Sequence, residues 1–347
     1  MTTLQDAAPP PGARTTGSRT TGSRASAALR LAGRRLAWAL PLVVVISLAV
    51  FALAAVSPTD AAASFLGARD EFAGAAARQG VEGLLGDRHW LASWWEWVVG
   101  APGGDLGWST SVRADVGAVV AARLPWTLLL MVLGLALAAV LGVVLALVAA
   151  LRPHGVLARV LAGGLWALSA VPSFLVATTL MAVLSLGLGW LPAGGLTDPG
   201  APVTAAQVGR HLVLPVLAVA LSQLPWIALH LHRATTDQLR TTSTEAARLR
   251  GVPERRVLAR HVLPGAAVPT LAIAGARLPE VVAGSVLVEQ VFGWPGLGQG
   301  LVQAALAQDF ALLAAATVLL TGVALLGGLL ADLALVRIDP RTDPDAL

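Results

Sequence analysis

Long apolar stretches alternate with short polar ones along most of this chain. Six of the stretches can cross a bilayer as helices, because a helix rises about 1.5 Å per residue against a hydrocarbon core about 30 Å thick. They lie at residues 36–56, within 124–151, within 160–191, and at about 212–231, 264–288 and 311–336. This pattern predicts an all-α, polytopic membrane protein with six transmembrane helices.

The first apolar stretch has a second interpretation. A basic flank precedes it and the small residues 61–63 follow it, as in a secretory signal. Its run of 21 apolar residues is longer than the roughly 7 to 15 residues of a signal core. We therefore expect a retained transmembrane helix.

Composition argues against two classes of function. Charged residues make up 13% of the chain, against about 25% in soluble domains, which disfavours a globular enzyme. All 24 basic residues are arginine, so the chain lacks the lysine of a Walker phosphate loop, and any ATPase must be another subunit. There is no cysteine, which excludes disulfides and thiolate metal sites, and no metal site is predicted.

The arginines predict the orientation of the helices. If the N-terminus is inside, 17 arginines lie on the inner side, six lie outside and one falls within a span. Because cytoplasmic loops are enriched in positive charge, both termini are predicted to be cytoplasmic. The predicted parts are a disordered tail (1–29), a transmembrane domain (30–341) with an external loop (58–123) and a cytoplasmic loop (233–262), and a C-terminal tail (342–347).

Four tryptophans cluster around Glu96 in the external loop. They are Trp90, Trp94, Trp95 and Trp97. Indole rings favour the membrane interface, where an apolar body and a polar N–H are both accommodated. The cluster predicts a short helix on the outer leaflet, with docking of an extracytoplasmic partner as the alternative.

The cytoplasmic loop carries a pattern for helix, turn and helix. Thr242 and Glu245 fit a capping box, in which the threonine caps a helix and the glutamate reaches back. Gly251 suits the left-handed position that ends this helix, and Pro253 suits the first turn of the next one. The positive-inside bias alone would explain the arginines of the loop, but not the cap and the turn.

These residues carry a resemblance to a known family. Glu245-Ala246-Ala247, then Gly251, then Leu263-Pro264 resemble the EAA loop of ABC-importer permeases, with the spacing intact. Further motifs of the dipeptide, oligopeptide and nickel permeases follow in that family's order, at 104–109, 171–174, 189–192, 284–289, 292–298 and 339–341. The resemblance implies the type I ABC-importer permease fold.

The resemblance also implies partners. Such importers lie in the bacterial cell membrane and combine two permease subunits, two cytosolic ATPases and an extracytoplasmic substrate-binding protein. This chain would be a transport subunit and not an enzyme, with no catalytic residue and no cofactor, while the ATPases bind ATP and Mg. A second homologous permease is expected, which favours a heterodimer, and no nucleic acid partner is expected.

In that family the EAA loop docks on the ATPase and transmits its movement to the helices. A rigid loop is required, because a flexible one cannot convert motion at one end into displacement at the other. The expected docking core comprises Glu245, Ala246, Ala247 and Gly251. Arg255 and Arg256 are added as coupling residues, although they could equally face water and lipid headgroups.

Arg277 and Glu280 lie near the middle of the predicted fifth span, three residues apart and on one helical face. Pro279 between them should distort the helix. An ionised side chain at the bilayer centre costs roughly 3 kcal/mol, so such residues normally face a partner or a wet cavity. We expect the pair to line the translocation pathway, and an ion pair that stabilises subunit contact is the alternative.

The segment after the fifth span belongs, by the same resemblance, to the external gate near the binding protein. Its Trp, Pro and Gly residues suit a tight surface turn. The expected gate or contact residues are Glu289, Phe292, Trp294, Pro295 and Gly296.

The predicted function is that of a permease subunit of an ATP-driven importer for peptides or related small solutes. A secondary transporter would carry its own coupling acids, but Glu280 and Asp332 are the acidic residues of the predicted spans. A membrane-anchored sensor would not need a capped loop. Nickel or another non-peptide solute stays open, since the binding protein supplies most of the selectivity in such importers.

Overall fold

A computed structural model of the chain describes residues 21–56, 89–151 and 155–338, and it is almost entirely helical there. The helices are α1 (Thr21–Val56), α2 (Trp90–Gly100), α3 (Val116–Leu151), α4 (Val156–Ser169), α5 (Ser173–Leu180), α6 (Ala205–Leu239), α7 (Thr242–Leu249), α8 (Glu254–Val257), α9 (Leu263–Ala276), α10 (Leu278–Phe292), α11 (Leu297–Leu306) and α12 (Phe310–Ile338). A 3₁₀ turn (Ala101–Gly103) follows α2, and π-helical turns follow α5 (Met181–Gly187) and α8 (Leu258–Val262). Two short strands, β1 (Trp108–Ser109) and β2 (Ala114–Asp115), pair antiparallel.

Five helical segments of the described residues are long and apolar enough to cross a membrane. They are Leu29–Val56, Val116–Leu151, Ala205–Leu239, Glu254–Ala276 and Phe310–Ile338. A sixth is added if a bent pair of helices counts as one span. The all-α, polytopic prediction is therefore confirmed.

The predicted third span is not one straight helix. Its two parts, Ala162–Ser169 and Ser173–Gly187, meet at 108°. The break falls at Pro172, whose ring removes a backbone donor and disfavours the helical conformation in the residue before it. The third span predicted within 160–191 is therefore a bent pair of helices if the pair counts as one span.

The predicted fifth span is also divided. Helix α9 ends at Ala276 and α10 begins at Leu278, with Arg277 between them at φ −93° and ψ 0°. Pro279 stands in the first turn of α10, where its missing N–H is harmless. Arg277 and Glu280 consequently lie at a helix junction, and not in the middle of a helix over 264–288.

Glycines bring α3 and α6 close together in the centre of the fold. A Cβ at Gly134 would overlap the side chain of Val219, and a Cβ at Gly142 would overlap that of Ile227. These contacts lie about two helical turns apart, and the two helices stay in close contact over much of their length. Helix α12 packs on the other side of the bundle, against α1, α9 and α11.

Helix α1 begins at Thr21, inside the segment 1–29 that was predicted to be a tail. An ion pair between Arg35 and the buried Asp332 joins it to α12. The rest of that tail, residues 58–88 of the external loop and the C-terminal tail 342–347 lie outside the described residues.

Candidate functional site

The elbow, residues 241–262, consists of α7, a tight turn and α8 with its π-helical extension. Gly251 has φ +72°, as predicted for the left-handed end of a helix. Its N–H donates to the carbonyl of Arg248 (2.9 Å), and the N–H of Val252 donates to that of Ala247 (3.2 Å). This hydrogen-bond pair is the Schellman motif, and it satisfies carbonyls that the end of α7 would otherwise leave free.

The predicted capping box is wrong. Thr241, and not Thr242, occupies the N-cap position of α7, and its side chain accepts no hydrogen bond from a backbone N–H of that helix. The Thr241 and Thr244 hydroxyls instead both donate to the carbonyl of Gln238 at 2.8 Å. These hydroxyls therefore hydrogen-bond to a backbone carbonyl at the end of α6 and not to the first N–H groups of α7. Pro253 also stands one position earlier than predicted, as the residue that precedes α8. The result ties the elbow directly to the end of a transmembrane helix.

The elbow has an apolar core of its own. Ala247, Val257 and Val262 are each fully buried and pack together, with Leu239 and Val252 partly buried around them. Ala247 was predicted to contact the ATPase, but it has no exposed surface. Its small side chain instead lets α7 lie close to the segment that follows the turn.

The exposed face of the elbow contains most of the other predicted coupling residues. Glu245, Gly251, Arg255 and Arg256 are exposed, and Ala246 is partly exposed. The sequence analysis missed the most prominent side chain of this face.

That side chain is Leu249, which is 84% exposed. A signal for it was present in the sequence, because residues two apart on a helix are separated by about 200°. With Ala247 pointing into the elbow, Leu249 must point away from it.

Arg248 links the two helices of the elbow. Its Nε and Nη2 donate to the two carboxylate oxygens of Glu254, at 3.2 and 2.6 Å, which joins α7 to α8 across the turn. The hydrogen bond to Glu254 is the main reason that the pKa of Arg248 is raised above its ordinary value. Arg248 is therefore paired with an acidic residue of the same chain, whereas Arg255 and Arg256 are exposed on the outer face of the elbow.

A cavity of about 310 Å³, the chamber, lies beside α6 at the junction between α9 and α10. Its polar and aromatic lining includes Trp166, Trp226, His230, Arg233, Arg277 and Glu280. The structure thus brings the predicted pair, Arg277 and Glu280, to a water-accessible cavity.

Within the chamber each arginine lies over an indole ring. The Cζ of Arg277 is 5.5 Å from the ring centre of Trp226, and that of Arg233 is 5.8 Å from that of Trp166. Arg277 Nη2 also approaches Glu280 Oε2 at 3.3 Å. The interaction between a cation and an aromatic face stabilises both guanidinium groups where they stand.

A second cavity of about 290 Å³ continues from the chamber toward the elbow, and His230 and Arg233 line both. Asp237 and Gln238 line its far part. Polar and aromatic residues therefore recur along one face of α6. Among the described residues, no group of three or more His, Asp or Glu side chains is placed to hold a metal ion.

The glycine turn, residues 292–298, is mostly buried, although Gly293 is exposed, so the prediction of a surface turn was wrong for its large side chains. Trp294 is fully buried and Phe292 is 2% exposed. The Trp294 indole donates to the carbonyl of Trp126 (3.2 Å), and the two rings meet edge to face at 5.8 Å. Burial of these large aromatic surfaces outweighs the general preference of turns for the surface.

Glu289 organises the glycine turn from inside. Its carboxylate is fully buried and accepts the N–H of Gln299 at 2.9 Å. A Cβ at Gly296 would overlap this carboxylate, so the turn can wrap around it only with glycine there. Arg123 closes the arrangement by donating to the carbonyl of Gly296 at 3.3 Å. Pro295 is partly exposed.

Residues 142–344 match the family described as binding-protein-dependent transport system inner membrane component. The chain belongs to this family. The permease is 32% identical to the oligopeptide transport system permease protein AppB of Bacillus subtilis (strain 168), over 72% of this chain and 79% of that protein.

Two further relatives extend this comparison. The permease is 32% identical to the oligopeptide transport system permease protein OppB of Mycobacterium tuberculosis (strain H37Rv), over 74% of this chain and 81% of that protein. It is 30% identical to a putative peptide transport system permease protein of Brucella suis biovar 1, over 89% of this chain and 97% of that protein. The resemblance inferred from the motifs is confirmed, and the chain is a membrane-spanning transport subunit.

The permease has one further organised polar site that the sequence analysis missed. Asp309 is 1% exposed and stands immediately before α12, where its Oδ1 accepts the N–H of Leu312 at 3.2 Å. Its Oδ2 accepts the hydroxyl of Ser109 and both the hydroxyl (2.7 Å) and the N–H (3.0 Å) of Ser111. The 109–111 segment is thereby fastened to the start of α12. An aspartate before an apolar helix indicates a cap, but nothing local indicates partners about 200 residues away.

Proposed function

We propose that this permease forms one side of the translocation pathway of an ATP-driven ABC importer for peptides or related small solutes. The names of the Bacillus subtilis and Mycobacterium tuberculosis relatives support peptides as the solute. A second homologous permease would complete the pathway as a heterodimer. Two ATPase subunits would bind ATP and Mg, and an extracytoplasmic binding protein would deliver the solute.

The elbow is the observation that carries this proposal. It combines a buried core, a Schellman turn and hydroxyl contacts to the end of α6, so it can move as a rigid body. Its outer face presents Leu249, with Glu245, Ala246, Gly251, Arg255 and Arg256 around it. Leu249 is the large apolar side chain of this face, so its burial in an apolar pocket of the ATPase would stabilise docking.

The orientation of the permease follows from the same segment. Seven arginines lie between residues 233 and 260, and positive charge is enriched on the cytoplasmic side. The elbow would therefore face the cytoplasm and the ATPase, and both termini would lie on that side. The glycine turn would then lie toward the outer surface.

At the outer end, the buried residues Glu289, Phe292, Trp294 and Gly296 would act in the gate by holding its shape. Of the predicted contact residues, Pro295 keeps exposed surface that a binding protein could touch. In the interior, Arg277 and Glu280 would line the pathway, because they border the chamber together.

Replacing Leu249 with aspartate tests the docking role. Burial of a leucine side chain contributes about 1.5 to 3 kcal/mol, so its loss should weaken ATPase binding by tenfold or more. We expect the Leu249→Asp permease to lose most of the co-purifying ATPase and most ATP-driven peptide uptake in vesicles. The matched control is Leu306→Asp, at a leucine that is 80% exposed on α11 and should keep the ATPase bound.

Unchanged ATPase recovery in Leu249→Asp would contradict docking through the elbow. Peptide uptake by the wild-type importer that needs no ATP would contradict the ABC-importer assignment and favour a secondary transporter.

A further inference from the structure

The inner face of α6 is unusual for a transmembrane helix. Ser222, Trp226, His230, Arg233 and Asp237 recur at helical spacing, and the two cavities lie along them. Charged side chains inside a membrane normally face water-filled space, because lipid cannot solvate them. Arg277 and Glu280 lie within the predicted fifth span, and Arg233 and Asp237 lie toward the proposed cytoplasmic end of α6. The cavities along this face would therefore hold water. The chemistry of their lining decides which solutes they favour.

The two guanidinium groups of the chamber are held by indole rings, but most of their N–H donors have no hydrogen-bond acceptor in the described part of the chain. A cation–π contact with an indole uses none of the N–H donors of a guanidinium, so these remain available for a ligand. Among the described residues, Arg233 donates no hydrogen bond and has no acidic side chain within 4 Å. The ion-pair partner of Arg277 is Glu280, at 3.3 Å.

The charge of the chamber is positive. Arg233 and Arg277 supply two positive charges, and Glu280 supplies one negative charge. Planar guanidinium groups bind carboxylates through paired N–H donors, which makes a carboxylate the matching ligand.

We propose that the chamber is a carboxylate-binding site for the solute in transit, and that Arg233 and Arg277 receive the C-terminal carboxylate of a peptide. This inference rests on the proposed transport of peptides. Trp226 and Trp166 hold the two guanidinium groups in place, which lowers the ordering entropy that binding would otherwise cost. The site is distinct from the elbow and from the glycine turn.

Glu280 competes with the ligand in this arrangement. Its side chain is 59% exposed, so it can leave Arg277 and turn toward water when a carboxylate arrives. Such a pair at the surface of a cavity is weak and readily exchanged. Removing the charge of Glu280 should therefore strengthen carboxylate binding, whereas removing the arginines should weaken it.

The test uses the complete importer in nanodiscs of phosphatidylcholine, without the binding protein and without anionic lipid. Equilibrium dialysis measures binding of N-acetyl-dialanine, which has a free carboxylate, and of the matching C-terminal amide. We expect the carboxylate to bind about tenfold more tightly than the amide, as one charge-assisted contact provides.

Three variants decide the assignment. Arg233→Gln combined with Arg277→Gln should remove the preference for the carboxylate, and Glu280→Gln should increase it several-fold. Arg210→Gln is the control, because Arg210 lies on the same helix outside the chamber, with a distant contact of 3.9 Å to Asp198. It should leave the preference unchanged.

Equal binding of the two probes to the wild-type importer would overturn the carboxylate site, as would weaker binding in Glu280→Gln. The same importer, reconstituted into sealed vesicles together with its binding protein, is assayed for ATP-driven uptake of dialanine. Uptake that persists without any carboxylate preference refutes this inference alone. Absence of ATP-driven peptide uptake in the wild type refutes the proposed function, whatever the dialysis shows.

Discussion

Replacing Gly251 with proline is expected to abolish ATP-driven uptake while leaving the permease in the membrane. Gly251 has φ +72°, whereas proline is fixed near −65°. Proline also removes the N–H that donates to the carbonyl of Arg248. The combined cost should reach that of proline inside a helix, about 3 kcal/mol, which would depopulate the ordered elbow more than a hundredfold.

A graded series separates this conformational effect from a general defect. Asparagine tolerates the left-handed region, whereas alanine loses about 1 to 2 kcal/mol there. Space is not limiting, because no atom lies within 4 Å of a Cβ built at this position. Uptake at equal membrane abundance should therefore fall in the order Gly, Asn, Ala, Pro. Full activity of Gly251→Pro would show that the turn is not needed for coupling.

Replacing Asp309 with alanine should produce the largest loss of stability. The substitution removes a helix cap and leaves the Ser109 and Ser111 hydroxyls without their shared acceptor. Loss of a buried charged hydrogen-bond partner costs about 3 kcal/mol or more. We expect a clearly lower thermal midpoint of the purified permease and little folded protein at 37 °C.

Asp115 provides the matched control for this prediction. Its carboxylate accepts the N–H of Ala118 at 2.9 Å and so caps α3 in the same way, but at the surface. Asp115→Ala should cost only about 1 kcal/mol, the usual value for a cap. Equal thermal midpoints for the two variants would mean that the 109–111 contact adds nothing to stability.

The features that were predictable from the sequence are those set by local chemistry. Apolar length predicted the transmembrane helices, because the bilayer imposes that length whatever the partners of a helix are. The end of α7 was predictable because glycine adopts a positive φ without strain, and Gly251 does so. Arg277 and Glu280 were expected to be neighbours because they are three residues apart, and their side chains do meet.

The predictions that failed depended on competition between local and distant partners. Thr241 and Thr244 could bond forward to α7 or back to α6, and only the packed structure determines that they bond to Gln238. Trp294 suits a surface turn until Trp126 provides an aromatic partner.

The alanines of the EAA motif show a similar limit. Ala246 and Ala247 are adjacent and chemically identical, yet one is partly exposed and the other lies in the core of the elbow. Which face of α7 is buried depends on where α8 and the π-helical turn pack after Gly251. Local sequence patterns do not determine that packing. The exposure of Leu249 followed from the same geometry and was missed for the same reason.

The central claim is that the ATPase binds the permease at the elbow. Protection of a cysteine placed at position 249 from a thiol reagent would test it most directly. The chain has no cysteine, so Leu249→Cys and Leu306→Cys each introduce a single reactive thiol into it. The two leucines are 84% and 80% exposed within the chain, and labelling of each thiol without the ATPase gives its reference rate. Labelling of the permease is followed by mass in nanodiscs, with and without the ATPase.

We expect bound ATPase to slow labelling of Leu249→Cys at least tenfold and to leave the labelling of Leu306→Cys unchanged. Equal labelling of Leu249→Cys with and without an ATPase that remains bound, or protection of Leu306→Cys alone, would contradict the account.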